Sequence, residues 1–534
     1  MVASKKSQMK SAIANVRSSS NPPDSNPSSL VKERILSALR QKSPQRLIKA
    51  FIAAVKDEPL IKSIPRSTFR EIFNILDPAH FVAPYRAIHY DFAPSQARKR
   101  QVRSLEAIFE DFRRVLRDVS VIRRTAGVPF EVGDYTYLLK CACIMGNGDA
   151  ARVIWRDMKE DRVIPNTECY NHYLGAISWS GAFDTHRLKL RILPFYMSMR
   201  SSPTPVKGFD KLKAGLGGVR EEALSIFDDM VQHGGVGDEQ TFAFMITAMA
   251  REGDMEGVQG ILKRLWNVNV EGLRERNEEE MESVKHYPVG SSLRPSATML
   301  FAVAHAYGTN NDIPTALMLV DFISRHYQLT IPPTIWEHLF EWSFVLATPR
   351  HGERRMDGTT TGQLPVASIR KLWDTMTAEP YNLKVSMPIL NRYIKNLWHR
   401  GMLEEYKRIV EEGHQRYRES AREHLLAQRR YLLAQSLASK GRLPALAEFD
   451  LDHIKQRLEL AQLVKVRDFS YMQRWLRLLV SGRRWVAGPN REWERRGLPD
   501  IIDSYREFTS SEIQYTIRGS GRLALREEPM EPFP

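Results

Sequence analysis

The chain is 534 residues long and 43% hydrophobic, with 78 Lys/Arg against 63 Asp/Glu and a formal net charge of +15. Its three cysteines are too few for a disulfide framework, and no run of about 18 apolar residues marks a membrane-spanning helix. Residues 1–130 hold 24 Lys/Arg against 11 Asp/Glu and residues 414–534 hold 22 against 16, which leaves 32 against 36 for the middle, so attraction for a polyanion must come from the ends or a local basic groove.

The first 23 residues contain Lys5, Lys6, Lys10 and Arg17, several serines and no acid. That is the composition of a mitochondrial transit peptide, with a disordered basic tail as the alternative, and residues 1–30 are expected to be disordered. Residues 31–130 read as a basic helical region. Ser43–Lys56 and Thr68–Leu76 are expected as short helices, the second with Thr68 and Glu71 at capping-box spacing. Ser95–Arg124 is expected as one longer helix, with Arg98, Lys99, Arg100, Arg103, Arg113, Arg114, Arg117, Arg123 and Arg124 around the stripe Leu105, Ile108, Phe109, Phe112 and Leu116. Its basic face can present Arg113 and Arg114 to phosphates; a solvated face is the alternative.

A repeat follows. Tyr135 recurs as Tyr170 and Gly146 as Gly181, both 35 residues on, a period that signals stacked helical hairpins. Tyr135, Leu138 and Leu139 share one face of a first helix, and Gly146 sits where that helix must stop. Ala151 lets a second helix approach closely, Trp155 and Met158 form its apolar stripe, and Pro165 ends the unit. Ala223, Phe227 and Met230 repeat the second helix, but Gly181 and Ala223 are 42 residues apart rather than five, so about 37 residues are inserted. The insert holds Pro194, Pro203, Pro205, Gly215, Gly217 and Gly218 and reads as a loop. Weaker copies carry Ala316, Val320 and Ile323, then Trp336 and Leu339, then Trp373 and Met376, then Leu390 to Gly401. Six or seven units between about 100 and 415 give an all-α, helical-hairpin repeat solenoid with helical extensions at both ends. The array is placed at 131–414, with inserts near 188–218 and 271–293.

Chemistry of other kinds finds no support. Gly146-Asn147-Gly148-Asp149-Ala150-Ala151 mimics a dinucleotide loop, but the same glycine recurs at Gly181, Gly253 and Gly401, each before a helix, so a turn explains all four. There is no phosphate loop and no His-Glu-x-x-His pair; His305, His326 and His338 have no metal-ligand spacing, and Cys141 and Cys143 point in different directions on one helix. A non-enzyme without cofactor, metal or small-molecule substrate is expected.

The segments Tyr135-Thr136-Tyr137-Leu138-Leu139 with Gly146, Ala151, Trp155, Met158, Pro165 and Asn166, then Cys169-Tyr170-Asn171 with Gly181, and Glu221-Glu222-Ala223-Leu224 with Phe227 and Met230 resemble the pentatricopeptide repeat family. The resemblance implies binding of single-stranded RNA at about one base per repeat. It assigns base reading to Thr136 with Asn166 and to Asn171 with Asp238, the second pair spanning the large insert, and Asn391 fits the same position. Ala243 and Phe301 occupy equivalent positions and cannot hydrogen-bond a base.

Residues 415–534 read as a basic helical region, with long stretches at Tyr417–Ser439 and His453–Val480. Arg474, Trp475, Arg477, Arg483, Arg484, Trp485, Arg491, Trp493, Arg495 and Arg496 then interleave arginine with tryptophan. This pattern suits RNA, through Arg484 and Trp485 among others, or docks the tail onto the array. Ile513, Tyr515, Ile517, Leu523 and Leu525 around Gly519-Ser520-Gly521 suggest a small hairpin. Two functional readings follow. One is a mitochondrial RNA-binding protein of the matrix, or of the matrix face of the inner membrane, that acts after transcription on a messenger or ribosomal RNA by protecting a transcript or helping its translation. The long insert, the basic carboxyl-terminal helices and the segment from Lys371 to Gly401 resemble fungal members of the family, including the mitochondrial ATPase-expression proteins that support synthesis of an ATP synthase subunit, with cytochrome oxidase messenger activators of the same class left open. The other is a non-catalytic adaptor on the mitochondrial ribosome or a respiratory assembly complex.

Overall fold

A computed structural model describes residues 27–89, 92, 94–183, 187–275, 283–347, 364–440, 450–480, 493–509, 512–517 and 521–526. The chain divides into two compact units, one of residues 1–76 and 114–128 and the other of residues 77–113 and 129–534.

The first unit is built from α1 (Pro27–Arg40), α2 (Pro44–Ala54), α3 (Glu58–Ser63), α4 (Arg66–Ile75) and the second half of a helix spanning Leu105–Thr125. Ser43 caps α2, its hydroxyl accepting from the Arg46 amide at 3.3 Å. The expected capping box at Thr68 does not form: α4 begins at Arg66, directly after Pro65, which places Thr68 within its first turn. Leu47, Phe51, Phe69, Ile72 and Phe73 form the core. Arg123, expected on a phosphate-facing surface, is buried here. Its guanidinium donates to the Ile61 and Ile64 carbonyls at 3.3 and 3.0 Å and lies 4.0 Å over the Phe69 ring, so its charge serves the chain ends that α3 leaves open.

The second unit opens with α5 (Pro78–Phe81), α6 (Ala83–His89), α7 (Pro94–Lys99) and the start of α8 (Leu105–Thr125). The single helix expected over Ser95–Arg124 is therefore two. Gln101 adopts φ 57°, which no right-handed helix tolerates, and the Val102 amide turns back to the Ala97 carbonyl at 3.0 Å.

Six helical hairpins follow among the described residues. They pair α9 (Val132–Met145) with α10 (Gly148–Glu160), α11 (Thr167–Ser178) with a partner beyond the insert, and so on to the carboxyl-terminal region. The insert is largely the irregular chain expected from its prolines and glycines, without helix or strand over residues 201–218, but it also carries a 3₁₀ turn at Arg187–Leu190 and α12 (Pro194–Arg200). It is folded around Arg200, which is buried and donates to the carbonyls of Leu212 at 2.8 Å, Leu190 at 3.4 Å and Arg251. Arg251 is buried too and donates to the Ile177 and Ser178 carbonyls at 3.2 and 2.6 Å. Irregular backbone must find partners for its buried carbonyls, and Arg200 supplies them within the insert, while Arg251 serves the open carbonyls at the end of α11.

The insert returns to α13 (Val219–Gln232), which pairs with α11 as though nothing had intervened. Then come α14 (Glu239–Ala250) with α15 (Met255–Trp266), the short α16 (Val270–Arg274), α17 (Ala297–Thr309) with α18 (Ile313–Tyr327), α19 (Pro333–Ala347) with α20 (Val366–Thr377), and α21 (Met387–Arg400) with α22 (Leu403–Ser439). The first helices α9, α11, α14, α17, α19 and α21 pack each on the next, which makes an all-α solenoid. Their approach is close: a Cβ on Gly175 of α11 would stand 2.5 Å from the Cys143 sulfur of α9 and 2.8 Å from the Phe244 ring of α14.

The repeated residues have local duties. Gly146 closes α9 in the left-handed conformation, φ 58°, and Asn147 caps α10 by accepting from the Ala150 amide at 3.0 Å. The Gly-Asn-Gly sequence is thus a helix-to-helix turn. Tyr135 donates to Asp161 and Tyr170 to Asp229, the latter at 3.0 Å, so the recurring tyrosine ties each first helix to the end of its second. Ala151, Trp155 and Met158 are buried, each large one contributing about 1.5–3 kcal/mol.

The long α22 runs without a break through the end of the array and pairs with α23 (Leu451–Val480). A single-turn π-helix at Trp493–Gly497, α24 (Leu498–Ser504), a 3₁₀ turn at Arg506–Phe508 and an antiparallel hairpin complete the chain. In that hairpin β1 (Glu512–Ile517) sets Ile513 opposite Leu525 and Tyr515 opposite Leu523 on β2 (Gly521–Arg526). One core joins these elements to the array: Trp373 stacks on Tyr393 at 4.0 Å, and Trp475, Trp493 and Phe508 are buried with them.

Candidate nucleic-acid interface

The expected base-reading side chains occupy first helices and their caps, but their environments differ. Thr136 is half-buried; its hydroxyl donates to the Val132 carbonyl at 2.8 Å and lies 3.1 Å from the Cys169 sulfur. Asn166 is exposed at the start of α11, where its side-chain oxygen accepts from the Cys169 amide at 2.9 Å, leaving its amide group toward solvent. Asn171 and Asp238 are brought together despite the insert between them in sequence. Asn171 is buried, its amide group donates to both Asp238 oxygens at 3.0 Å, and its oxygen accepts from Thr241 at 2.6 Å. Asp238 also caps α14 by accepting from the Thr241 amide at 2.8 Å. The pair is a cross-repeat lock whose donors and acceptors are engaged internally.

Asn391 is removed from the surface altogether. It is buried on α21, and its oxygen accepts from the Trp475 indole of α23 at 3.1 Å. The helix that follows the array covers the position at which a base would be read. Trp475 and Trp493 are likewise buried and dock the tail rather than offering faces to bases; Lys407 lies 4.7 Å over Trp493. Arg113 is half-buried and ion-paired with Glu110, and Arg114 is exposed on the same helix. Arg484 and Trp485 lie outside the described residues.

What the tertiary structure adds is a cavity of about 480 Å³ along the first helices α11, α14, α17 and α19 and the start of the insert. Trp179, Phe183, Phe301, His305, His338 and Trp342 line it, together with Ala243, Arg86 and Arg187. Ala243 and Phe301 stand at positions that the resemblance to the repeat family assigns to base reading. Their failure to hydrogen-bond leaves apolar and aromatic wall instead. Trp179 packs on His305 at 4.8 Å and on Phe301 at 5.7 Å, and Phe301 lies 4.7 Å from His338.

The two histidines, 33 residues apart in sequence, touch across α17 and α19. Trp342 donates its indole N–H to His338 Nε2 at 2.9 Å, so that nitrogen carries no proton. His305 Nδ1, 3.1 Å from the same Nε2, is therefore the donor of the pair, which leaves His305 Nε2 as an acceptor without a partner among the described residues. Burial pushes the His338 pKa down to about 4, with Arg187 and Arg392 adding to the effect and Glu341 opposing it. Burial, His338 and Arg251 push His305 well below the ordinary histidine range. Both rings are neutral, so they offer flat apolar faces and hydrogen-bond atoms but no charge.

Charge at the cavity comes from arginine. Arg187 is paired at 2.8 Å with buried Glu341, which also takes Arg392 at 2.6 Å. Arg86 lies 4.2 Å over the Phe183 ring and donates to the Ile144 carbonyl at 2.7 Å. No group of three or more His, Cys, Asp or Glu side chains is arranged to hold a metal among the described residues. No described helix is long and apolar enough to cross a membrane.

Comparison with known proteins bears on the same segments. Residues 114–178 match the pentatricopeptide repeat domain, and residues 239–356 match the mitochondrial ATPase expression family. The mitochondrial pentatricopeptide repeat-containing protein 6 of Schizosaccharomyces pombe is 22% identical over 222 residues, 41% of this chain and 43% of that protein, so the chain matches less than half the length of this relative. Among solved structures, the maize pentatricopeptide repeat protein PPR10 aligns over 87% of this chain and 59% of its own, at 10% identity and a TM-score of 0.34. Its complex with an 18-nucleotide psaJ RNA element aligns at 11% identity and the same score over the same shares, too low a superposition to bear on the architecture. The hairpin geometry and the recurring tyrosine and glycine agree with these matches: residues 114–178 are similar to the pentatricopeptide repeat domain and residues 239–356 to the mitochondrial ATPase expression family.

Proposed function

We propose that this protein binds single-stranded RNA in the mitochondrial matrix and acts after transcription, stabilising a messenger or activating its translation, with an ATP synthase subunit transcript as its target. The observation that carries the reading is the aromatic cavity on successive first helices. Equivalent positions on α9, α11, α14 and α17 hold Thr136, Asn171, Ala243 and Phe301, and the last two line that cavity. The exposed Asn166 at one end and an aromatic wall at the other suit a strand with one base hydrogen-bonded and the next bases stacked. The ATPase expression segment and the mitochondrial relative support the compartment and the class of target.

A second reading, an adaptor on the mitochondrial ribosome or an assembly complex, is favoured by the internal engagement of Asn171 and Asn391. Ultraviolet crosslinking of the tagged protein in purified mitochondria, followed by sequencing of the attached RNA, separates the two. A sharp peak on the leader of an ATP synthase subunit messenger is expected; peaks confined to ribosomal RNA, or none, sink the transcript-specific reading in favour of the adaptor.

A further inference from the structure

Tyr417 and Ala421 are the last residues of α22 packed in the array core; beyond them one face of the helix packs on α23, with Ala434 buried. The other face is unusual for a solvated helix. Leu425, Leu426, Leu432 and Leu433 are 45%, 45%, 54% and 62% exposed. Spaced one and seven residues apart, they lie along one side over a rise of about 12 Å. Arg422, Arg429 and Arg430 are exposed on the same side, and from His424 through Lys440 the helix contains no acid. Single surface leucines need no explanation, but four in two adjacent pairs among guanidinium groups do.

We propose that this face of α22 rests on an anionic lipid surface, the leucines entering the headgroup boundary while the arginines engage lipid phosphates. Charge decides against a second copy of the chain, because two such cationic faces repel. An RNA strand satisfies the arginines but leaves the leucines in water. An acidic partner helix satisfies the charges, yet a dry helix-on-helix seam wants an apolar residue midway between Leu426 and Leu433, and that position is Arg429. On a lipid surface the same arginine extends its charged end to the headgroups while its stem stays apolar, so interleaving costs nothing. This inference stands apart from RNA binding.

The test is flotation of the full-length protein with phosphatidylcholine vesicles prepared with and without phosphatidylglycerol. Co-flotation with the anionic vesicles only is expected. Replacing the four leucines by serine, and separately R429E with R430E, is each expected to lower the vesicle-bound fraction about tenfold or more. All these positions are exposed, so the melting temperature should not fall, and the single L432S variant gives a milder control. Flotation that persists in the leucine variant, or that soluble RNA abolishes in the wild type as fully as R429E with R430E does, would show a polyanion site and overturn the proposal. No flotation of the wild type, with capture of an acidic helical protein instead, overturns it equally.

Discussion

Asn391 Oδ1 accepts a hydrogen bond from the Trp475 indole at 3.1 Å, and both side chains are buried. A position to which only the family resemblance assigns base reading is therefore the anchor of the helix that follows the array. Trp475 also sits against Gly413 of α22, where a Cβ would stand 2.2 Å from its ring. The consequence is a closed end to the array.

The Trp475→Phe variant keeps most of the packing and loses the indole donor, with an expected destabilisation of about 1 kcal/mol. Trp475→Ala should cost about 3–5 kcal/mol, since it leaves a cavity in the core shared by α21, α22 and α23. Gly413→Ala should destabilise as well. Urea unfolding checks all three. RNA affinity should be unaffected by Trp475→Phe; a changed base preference would mean that Asn391 reads RNA after all.

The two expected reader pairs should respond differently to alanine. Asn166→Ala removes an exposed helix cap and costs about 1 kcal/mol, which Asn166→Ser largely restores. Asn171→Ala strands Asp238 and Thr241 and costs about 1–3 kcal/mol. Thermal melts together with gel shifts decide the role of each residue. If Asn166→Ser keeps its stability and loses RNA binding, the side chain reads a base; if it keeps both, it is a cap.

At the cavity, Phe301→Ala and Trp179→Ala should each weaken RNA binding by about 1–3 kcal/mol, roughly 5- to 150-fold, if bases stack there. Both side chains are half-buried, so stability should change less than for a core aromatic. Filter binding with short single-stranded RNA measures the effect. Unaltered affinity in both variants would remove the cavity from the binding track.

Acid should weaken the fold through its neutral histidines. His338 and His172 are pushed down to about 4, mainly by burial, against an ordinary value near 6.5. The folded state thus binds fewer protons than the unfolded chain between these values. Stability is full above about pH 6.5 and falls by about 1.4 kcal/mol per pH unit for each such histidine as the pH drops toward 4. Urea midpoints at neutral pH and at pH near 5 give the slope. His338→Gln, which keeps an acceptor for the Trp342 indole, should flatten it by one histidine's share.

Much of the fold is legible from short-range pattern. The 35-residue recurrence of Tyr135 and Gly146 announces helical hairpins because stripe, stop and cap act over one or two helical turns. The segments the pattern does not give are those whose partners or breaks leave no local mark. The loop character of the insert is legible from its prolines and glycines, but not the order imposed by Arg200 gathering the carbonyls of Leu190, Leu212 and Arg251. The helix over Ser95–Arg124 looked continuous because no glycine or proline marks the turn at Gln101.

The sequence by itself determined the class of fold and the repeat frame, since both follow from periodicity and cap chemistry along the chain, while the resemblance assigned residues to reading positions. Only the tertiary structure decided which of those positions face solvent. Whether Asn171 bonds Asp238, whether Asn391 lies under Trp475, and whether His305 meets His338 beside Phe301 depend on how one hairpin stacks on the next. That stacking is set by contacts between residues tens of positions apart, and burial and hydrogen-bond partners are properties of those contacts.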